Sequence, residues 1–534
     1  METERYIQLT NLHMILPSGE LSTLTSIYID SSTGLICSPP ITSSADNGIQ
    51  SKDVNSTRII DLNGKWVSPG MVDIQINGAF GIDLSEFPNE KEYVQGVKEM
   101  CKKLLEIGVT GFLPTIISQK KEAYHSILPI LSKLPELLKA TESLSRILGW
   151  HLEGPFLSNK KSGCHPPSNL ITNASAGIES LYDIYGKENV IQFRDDSDGI
   201  EKEEREAFVK MITLAPELTG ILDQNVLGNL VECGWKVSLG HTNATTEQAL
   251  QSLSRGATHI THLFNAMPPL HHREPGIIGL LGLPNNQTLK IETKVKDGSQ
   301  KVVSTVPSPT GRSKPTTRVP SPITEVQIGS DIESVSGQLN ADTDKAGHHS
   351  KFSSAGESGI DQKLIEFNEK ELINPEQRPD QMVKRPYFSI IADGIHVHPE
   401  AISMAYNCYP EGCILVSDAM HMLDPSLPDG IHPWRDGAIE KKNGGITLYG
   451  TDTLAGSILP LSEAVKNLSK FSGISLPKSI VCATYNPINS LGENYGRKSR
   501  IGYLDAGYKA DLCIWDENGL KGVWKNGKEI WYEA

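Results

Sequence analysis

The chain has 534 residues, long enough for two to four domains at roughly 150 residues each. With 38% apolar residues and 47 glycines it has a globular composition that can fill a sizeable core, which excludes wholesale disorder. Its 50 basic and 64 acidic residues leave a net charge of −14, the wrong sign for gripping a nucleic-acid backbone, although one arginine is enough to hold a small phosphorylated ligand.

Residues 1–65 read as short β segments. Tyr6–Asn11 and Ser26–Asp30 alternate in polarity, with turns at Ser18-Gly19 and Thr33-Gly34. Residues 498–534 read alike. Asp511–Trp515 and Gly522–Ile530 are strand material, and Asn526-Gly527 is a hairpin turn signal. Both ends therefore predict parts of one small sheet module. Between them, over 66–497, eight short apolar runs alternate with helical stretches: 71–76, 110–116, 146–152, 209–215, 236–240, 258–264, 388–392 and 413–417. Helices are predicted between them, for example at 90–107 and 245–255. Repeated βα units imply a parallel sheet, and eight of them imply a closed (β/α)8 TIM-like barrel, making the chain α/β.

The stretch 286–384 breaks this rhythm. It is rich in Ser, Thr, Pro, Lys and Glu, and it carries Val306-Pro307-Ser308-Pro309 and Val319-Pro320-Ser321-Pro322. Such a composition does not offset its own ordering entropy, so a disordered insertion between the sixth and seventh βα units is predicted. The eight cysteines are scattered with no C-x-x-C pair, the N-terminus has no basic-then-apolar leader pattern, and no apolar run nears 18 residues. A reducing, cytoplasmic setting without a membrane partner is expected.

Ionisable residues follow several of the apolar runs, at the strand ends where a βα barrel builds its active site. Glu153 follows Trp150-His151-Leu152, His241 follows Ser238-Leu239-Gly240, His262 follows Ile260-Thr261, and Asp418 follows Val416-Ser417. Two imidazoles and a carboxylate from three strands suit a divalent metal with an open position, and Asp418 suits a general base. His151 reads as a packing residue. His271-His272 could look like a metal pair, but adjacent residues rarely share one ion, and the pair reads as structural.

Six stretches then add up to a resemblance: His151–Phe156, Ser238–Ala244, Thr261–Met267, Arg273–Gly276, Ile391–His396 and Ser417–Ala419. In their order and content they resemble the N-acetylglucosamine-6-phosphate deacetylases of the amidohydrolase superfamily, over nearly the whole chain except 286–384. The resemblance implies a metal-dependent barrel with a small β-sandwich formed from both chain termini. It implies that Glu153, His241 and His262 hold the metal, that Asp418 accepts and returns the proton, and that His165 polarises the acetamide carbonyl. Cys164, His165, Asn265 and Ala266 would contact the sugar, and Leu454, Ala455 and Gly456 would line its pocket. Arg273 would grip the 6-phosphate with its guanidinium fork. His396, in the Asp393-Gly394-Ile395-His396 stretch, would add a phosphate contact across a homodimer, reaching the neighbouring active site.

Many amidohydrolases carry His-x-His on the first barrel strand and hold two metals. Here that position reads Gln75-Ile76-Asn77, poor ligands beside imidazole, so one metal per subunit is expected: zinc first, with iron, cobalt or manganese also suited to the donor set. The implied reaction is hydrolysis of N-acetyl-D-glucosamine 6-phosphate to D-glucosamine 6-phosphate and acetate, in amino-sugar catabolism. The rival readings are an amidohydrolase for another amide, disfavoured by Arg273 and His396, and a catalytically dead sugar sensor, disfavoured by Asp418.

Overall fold

The computed structural model describes residues 5–39, 57–138, 143–190, 208–284, 287–288, 291–296, 299–304, 382–434, 437–442, 444–492 and 494–533. Each of the eight predicted runs overlaps a parallel strand: β1 (Met71–Ile76), β2 (Val109–Ile117), β3 (Trp150–Glu153), β4 (Val209–Leu214), β5 (Lys236–Leu239), β6 (His259–Ile260), β7 (Tyr387–Ile390) and β8 (Cys413–Leu415). Every residue of β1 is buried, as expected for a strand covered on both faces. The barrel closes between β8 and β1. Asp418 N–H donates to Gln75 O (2.9 Å), Asn77 N–H donates to Ala419 O (2.7 Å), and Ile76 bridges Ala419 in parallel.

The helices pack outside. In Glu90–Glu106 the side chain of Asn89 caps the Glu92 N–H, and Tyr93, Val97, Met100, Cys101, Leu104 and Leu105 form the buried stripe. In Thr246–Ser254 a Thr245/Gln248 capping box starts the helix. Among the described residues no helix is long and apolar enough to cross a membrane.

The two chain ends do form one module. Strands Lys528–Tyr532, Gly519–Lys525, Leu512–Asp516, Trp66–Pro69, Tyr6–Met14, Thr25–Asp30 and Leu35–Cys37 lie side by side in that order, and Thr57–Asp61 also pairs with Tyr6–Met14. Strand Tyr6–Met14 breaks register near Asn11, which has φ 54°; its first half pairs with Thr57–Asp61 and its last residues pair with Trp66–Pro69. The sheet thereby folds over its own core, which includes Leu9, Ile29, Val67, Leu512 and Trp524. Asn526 and Gly527 both have positive φ, as the predicted two-residue hairpin requires. The buried Lys525 joins this module to the barrel, donating to Asp511 Oδ2 (2.6 Å) and to Thr110 O at the start of β2 (2.9 Å).

At the roots of the predicted insertion the chain is in strands. Gln287–Thr288 pairs antiparallel with Met382–Val383, and Ile291–Lys296 pairs with Ser299–Ser304. The alternating sequences IETKVK and SQKVVS account for this local pairing better than composition averaged over the whole stretch. Residues 305–381, with both Ser-Pro pairs, lie outside the described residues. A three-stranded antiparallel sheet unforeseen from the sequence, Gly430–Trp434, Gly437–Lys442 and Gly445–Leu448, follows β8. It packs through Ile439 and Ile446 onto Met420, Met422 and Ala455.

Candidate active site

Glu153 ends β3, and His241, His262 and Asp418 follow β5, β6 and β8 by two or three residues. The last three all have left-handed backbone, with φ 48°, 30° and 44°. Such a conformation costs a non-glycine residue on the order of 1–3 kcal/mol and is held here by the surrounding barrel. It ends the strand abruptly and leaves all four side chains at the C-terminal mouth. The four line one cavity of about 230 Å³. A larger hollow of about 690 Å³, bordered by Lys102, Glu106, Glu529 and Trp531, lies away from these residues.

Nδ1 of His241 faces the carbonyl oxygen of Lys161 at 2.8 Å. A carbonyl only accepts, so Nδ1 carries a proton, and Nε2 is left to offer its lone pair to a cation or, in its absence, a proton to Glu153. That Nε2 lies 2.9 Å from Nε2 of His262 and 3.2 Å from Oε1 of Glu153, and His262 Nε2 lies 3.1 Å from the same oxygen. Donor atoms with these spacings fit ligands at about 2.0–2.2 Å from a shared cation. Among the described residues Glu153, His241 and His262 form a group able to hold a metal ion. Burial disfavours the charge of Glu153, but the imidazoles of His241 and His262 more than offset it and hold the carboxyl well below the usual carboxylate range.

The turn carrying His241 is itself braced. Glu217 accepts the Asn243 N–H at 2.6 Å and the Thr242 hydroxyl, and Asn243 Nδ2 donates to Ser158 Oγ at 2.9 Å. Beneath the site His151 is buried, with Nδ1–H on Ile74 O (3.1 Å) and Nε2 accepting from the Thr213 hydroxyl (2.7 Å). Burial drives its pKa down to about 4, so it stays neutral, in agreement with a structural role.

Asp418 faces Glu153 across Gln75. Gln75 Nε2 donates to Glu153 Oε1 (3.0 Å) and to Asp418 Oδ1 (3.2 Å), and Asn77 Nδ2 donates to the same Asp418 oxygen (2.8 Å). Burial and the nearby Glu153 charge push the Asp418 carboxyl up to about 7 in the metal-free protein. His165 is buried with Nε2 4.0 Å from Glu153 Oε2. Its Nδ1 accepts the Ser118 N–H at 3.2 Å and sits 2.8 Å from the Ser118 hydroxyl.

Of the other residues singled out from the sequence, Cys164, Asn265, Ala266 and His396 line the cavity, as do Leu454, Ala455 and Gly456. Cys164 Sγ donates to Leu454 O at 2.7 Å, joining two of these segments. His396 lines the cavity of its own chain, held by Nδ1 2.6 Å from Asp393 Oδ2. Asp393 also accepts the N–H groups of Ile395 and His396, each at 2.8 Å, so the Asp393-Gly394-Ile395 stretch aims His396 without forming the wall itself. Arg273 is exposed and off the wall of this cavity, on a corner that Glu274 fixes against the outer helix by accepting the Thr246 N–H at 2.6 Å. Sequence reasoning missed Asp83, Ile117, Ile391, Met420 and Trp434 as lining residues. Trp434 comes from the unforeseen sheet and had no local signal; Gln75 and Asn77 were visible only as missing histidines.

The profile of the amidohydrolase family matches residues 66–319 and 344–530. A curated N-acetylglucosamine-6-phosphate deacetylase of Caenorhabditis elegans is 30% identical over 475 residues, covering 88% of this chain and 84% of the relative. That of Danio rerio is 29% identical over 474 residues, covering 88% and 86%. The crystal structure of N-acetylglucosamine-6-phosphate deacetylase from Thermotoga maritima superposes with a TM-score of 0.60 at 22% identity, covering 98% of this chain and 100% of that one, a likeness of fold. The profile runs from the strand that enters the barrel to the last strand of the terminal module, and a barrel bearing a Glu-His-His cluster at its C-terminal mouth is what it spans: the chain belongs to the amidohydrolase family.

Proposed function

We propose that this chain hydrolyses N-acetyl-D-glucosamine 6-phosphate to D-glucosamine 6-phosphate and acetate, an amide hydrolysis of amino-sugar catabolism. The observation that carries the reading is the meeting of Asp418, His165 and the Glu153–His241–His262 group in one cavity. The curated relatives over most of the chain bear the name of this activity.

Glu153, His241 and His262 are the residues to hold one divalent ion per subunit, with zinc the first choice and iron, cobalt or manganese compatible with the donors. When bound, such an ion supplies Lewis acidity that makes water a nucleophile near neutral pH and polarises the acyl oxygen. Gln75 and Asn77 turn N–H donors, not lone pairs, towards the carboxylates, which supports one ion rather than two.

The chain's own groups divide the remaining work. Asp418 takes a proton from the attacking water as the oxygen–carbon bond forms, then delivers it to nitrogen as the carbon–nitrogen bond breaks. His165 donates a hydrogen bond from Nε2 to the acyl oxygen as it gains charge, a contribution of about 3–4 kcal/mol for a single donor. Cys164, Asn265 and Ala266 contact the sugar, with Leu454, Ala455 and Gly456 opposite. His396, aimed by Asp393, is a phosphate contact, in its own cavity or reaching the neighbouring active site of a homodimer. Arg273 is the second phosphate contact; being exposed, it needs its corner to approach a cavity mouth, its own or that of a second copy in a homodimer. A cytoplasmic setting is supported by eight free cysteines.

Turnover of the phosphosugar in ¹⁸O-water tests the reaction. Acetate carrying one ¹⁸O, beside an unlabelled glucosamine 6-phosphate, is expected by mass spectrometry. Absence of acetate from a metal-loaded preparation removes the proposal.

A further inference from the structure

The two amides at the end of β1, Gln75 within it and Asn77 just after it, point to a division of labour between the oxygens of Asp418. Gln75 and Asn77 stand two residues apart at the end of β1, on the side where the barrel closes. Backbone bonds from Asp418 to Gln75 and from Asn77 to Ala419 fix that seam, so both amides are presented to Asp418 by the ladder itself. Both donate to the same carboxylate atom, Oδ1, at 3.2 and 2.8 Å. Their carbonyl oxygens, Gln75 Oε1 and Asn77 Oδ1, are buried and accept no hydrogen bond among the described residues. Flipping Asn77 would set two acceptors against each other at 2.8 Å, so the donor orientation is the one an ionised Asp418 selects. The arrangement leaves acceptors unpaired in order to hold one carboxylate oxygen.

An oxygen that accepts two N–H bonds is less basic than its twin, and the free torsion of an aspartate carboxyl is broad and two-fold unless something fixes it. We propose that Asn77, with Gln75, is a positioning residue of the hydrolysis: it keeps Oδ1 of Asp418 as an acceptor and fixes the carboxylate plane, so that the proton travels on Oδ2. The O–H bond of the attacking water breaks towards Oδ2, and the same proton later leaves Oδ2 as the new N–H bond forms. The chain thus uses the positions of the missing histidines to aim a base. The inference rests on the proposed function, and wild-type turnover measured alongside tests that reading by itself.

The test is steady-state kinetics of Asn77→Ala and Asn77→Asp, with bound metal quantified and melting temperature recorded for each. Misplaced reacting groups cost about 10²-fold per ångström, so Asn77→Ala is expected to lower kcat about 10- to 100-fold. KM should stay within about two-fold, with metal content unchanged, because Asn77 acts through Asp418 and not on substrate or ion. Asn77→Asp, which turns a carboxylate on Asp418, is expected to lose more. In an Asp418→Asn background the Asn77→Ala change should cost less than about two-fold, since the group it aims is already gone. A raised KM at unchanged kcat, loss of metal, or a full multiplicative cost in that background each overturns the proposal. Should Asn77→Asp fail to fold, Asn77→Ala alone decides.

Discussion

The backbone N–H of Ser118 reaches Nδ1 of His165 across 3.2 Å, and this settles which nitrogen of the ring carries the proton. A backbone amide only donates, so Nδ1 accepts and Nε2 bears the hydrogen, on the side facing Glu153. The ring therefore donates from Nε2 towards the cavity, and the strand end of β2 keeps Nδ1 as the acceptor.

That relationship predicts an asymmetry. His165→Ala should lower kcat about 10²- to 10³-fold while metal content is retained. Ser118→Ala should cost less than about five-fold, because the backbone donor remains. Steady-state kinetics of the two variants check it, and equal losses would mean that the hydroxyl, not the amide, sets the tautomer.

Asp418→Asn should lower kcat about 10²- to 10⁴-fold, the usual worth of a positioned acid–base group, with metal content nearly intact. Elemental analysis beside turnover separates this from loss of the ion. A variant that keeps most of its activity would take the proton transfer away from Asp418.

Glu217 touches neither substrate nor metal, yet it holds the turn of His241 through Asn243 and Thr242. Glu217→Ala should weaken metal affinity about 10- to 100-fold and leave kcat near wild type at saturating metal. Competition with a chromogenic chelator measures the first and add-back kinetics the second.

Asp73 gives a stability signature with a definite sign. It is fully buried in β1, and burial pushes its carboxyl up to about 7, against the N–H groups of Ser417 and Gln75 that favour the charge. A carboxyl whose folded pKa is raised adds stability that is complete below its unfolded value, near 4, and is lost as pH rises through about 7. The melting temperature of Asp73→Asn minus that of wild type should therefore move in the variant's favour between pH 5 and pH 8. A difference that is flat or moves the other way contradicts a protonated Asp73.

The seam between barrel and terminal module predicts a purely structural effect. Lys525 is 1% exposed and is neutralised by Asp511. Lys525→Met leaves that carboxylate buried without its cation and should cost about 3–5 kcal/mol in denaturant unfolding, with kcat per folded molecule unchanged.

The barrel was legible because its parallel strands are mostly buried on both faces and so read as short runs dominated by apolar residues. Glu153, His241 and Asp418 were legible because each follows such a run directly, and His262 because it follows Ile260-Thr261 within one. The sequence reading stopped where meaning depends on partners distant in the chain. Gln75 and Asn77 read as absent ligands until Asp418, more than three hundred residues away, was placed against them. The place of His396 on the wall of this cavity rests on Asp393, which turns the ring by a local hydrogen bond that no spacing rule expresses. Arg273 carries the right chemistry for phosphate, but the Glu274 contact to Thr246 decides where it sits. Trp434 lies on a short sheet whose strands have weak alternation, and only its packing on Met420 and Met422 marks it as part of the site.

The most direct test of the whole account is acetate release from N-acetylglucosamine 6-phosphate beside unphosphorylated N-acetylglucosamine, with and without a metal chelator. Fast turnover of the phosphorylated sugar, little of the plain sugar, and loss of activity with the chelator that divalent metal restores are expected. Turnover unaffected by complete metal removal, or no acetate from either sugar while metal stays bound, would contradict it.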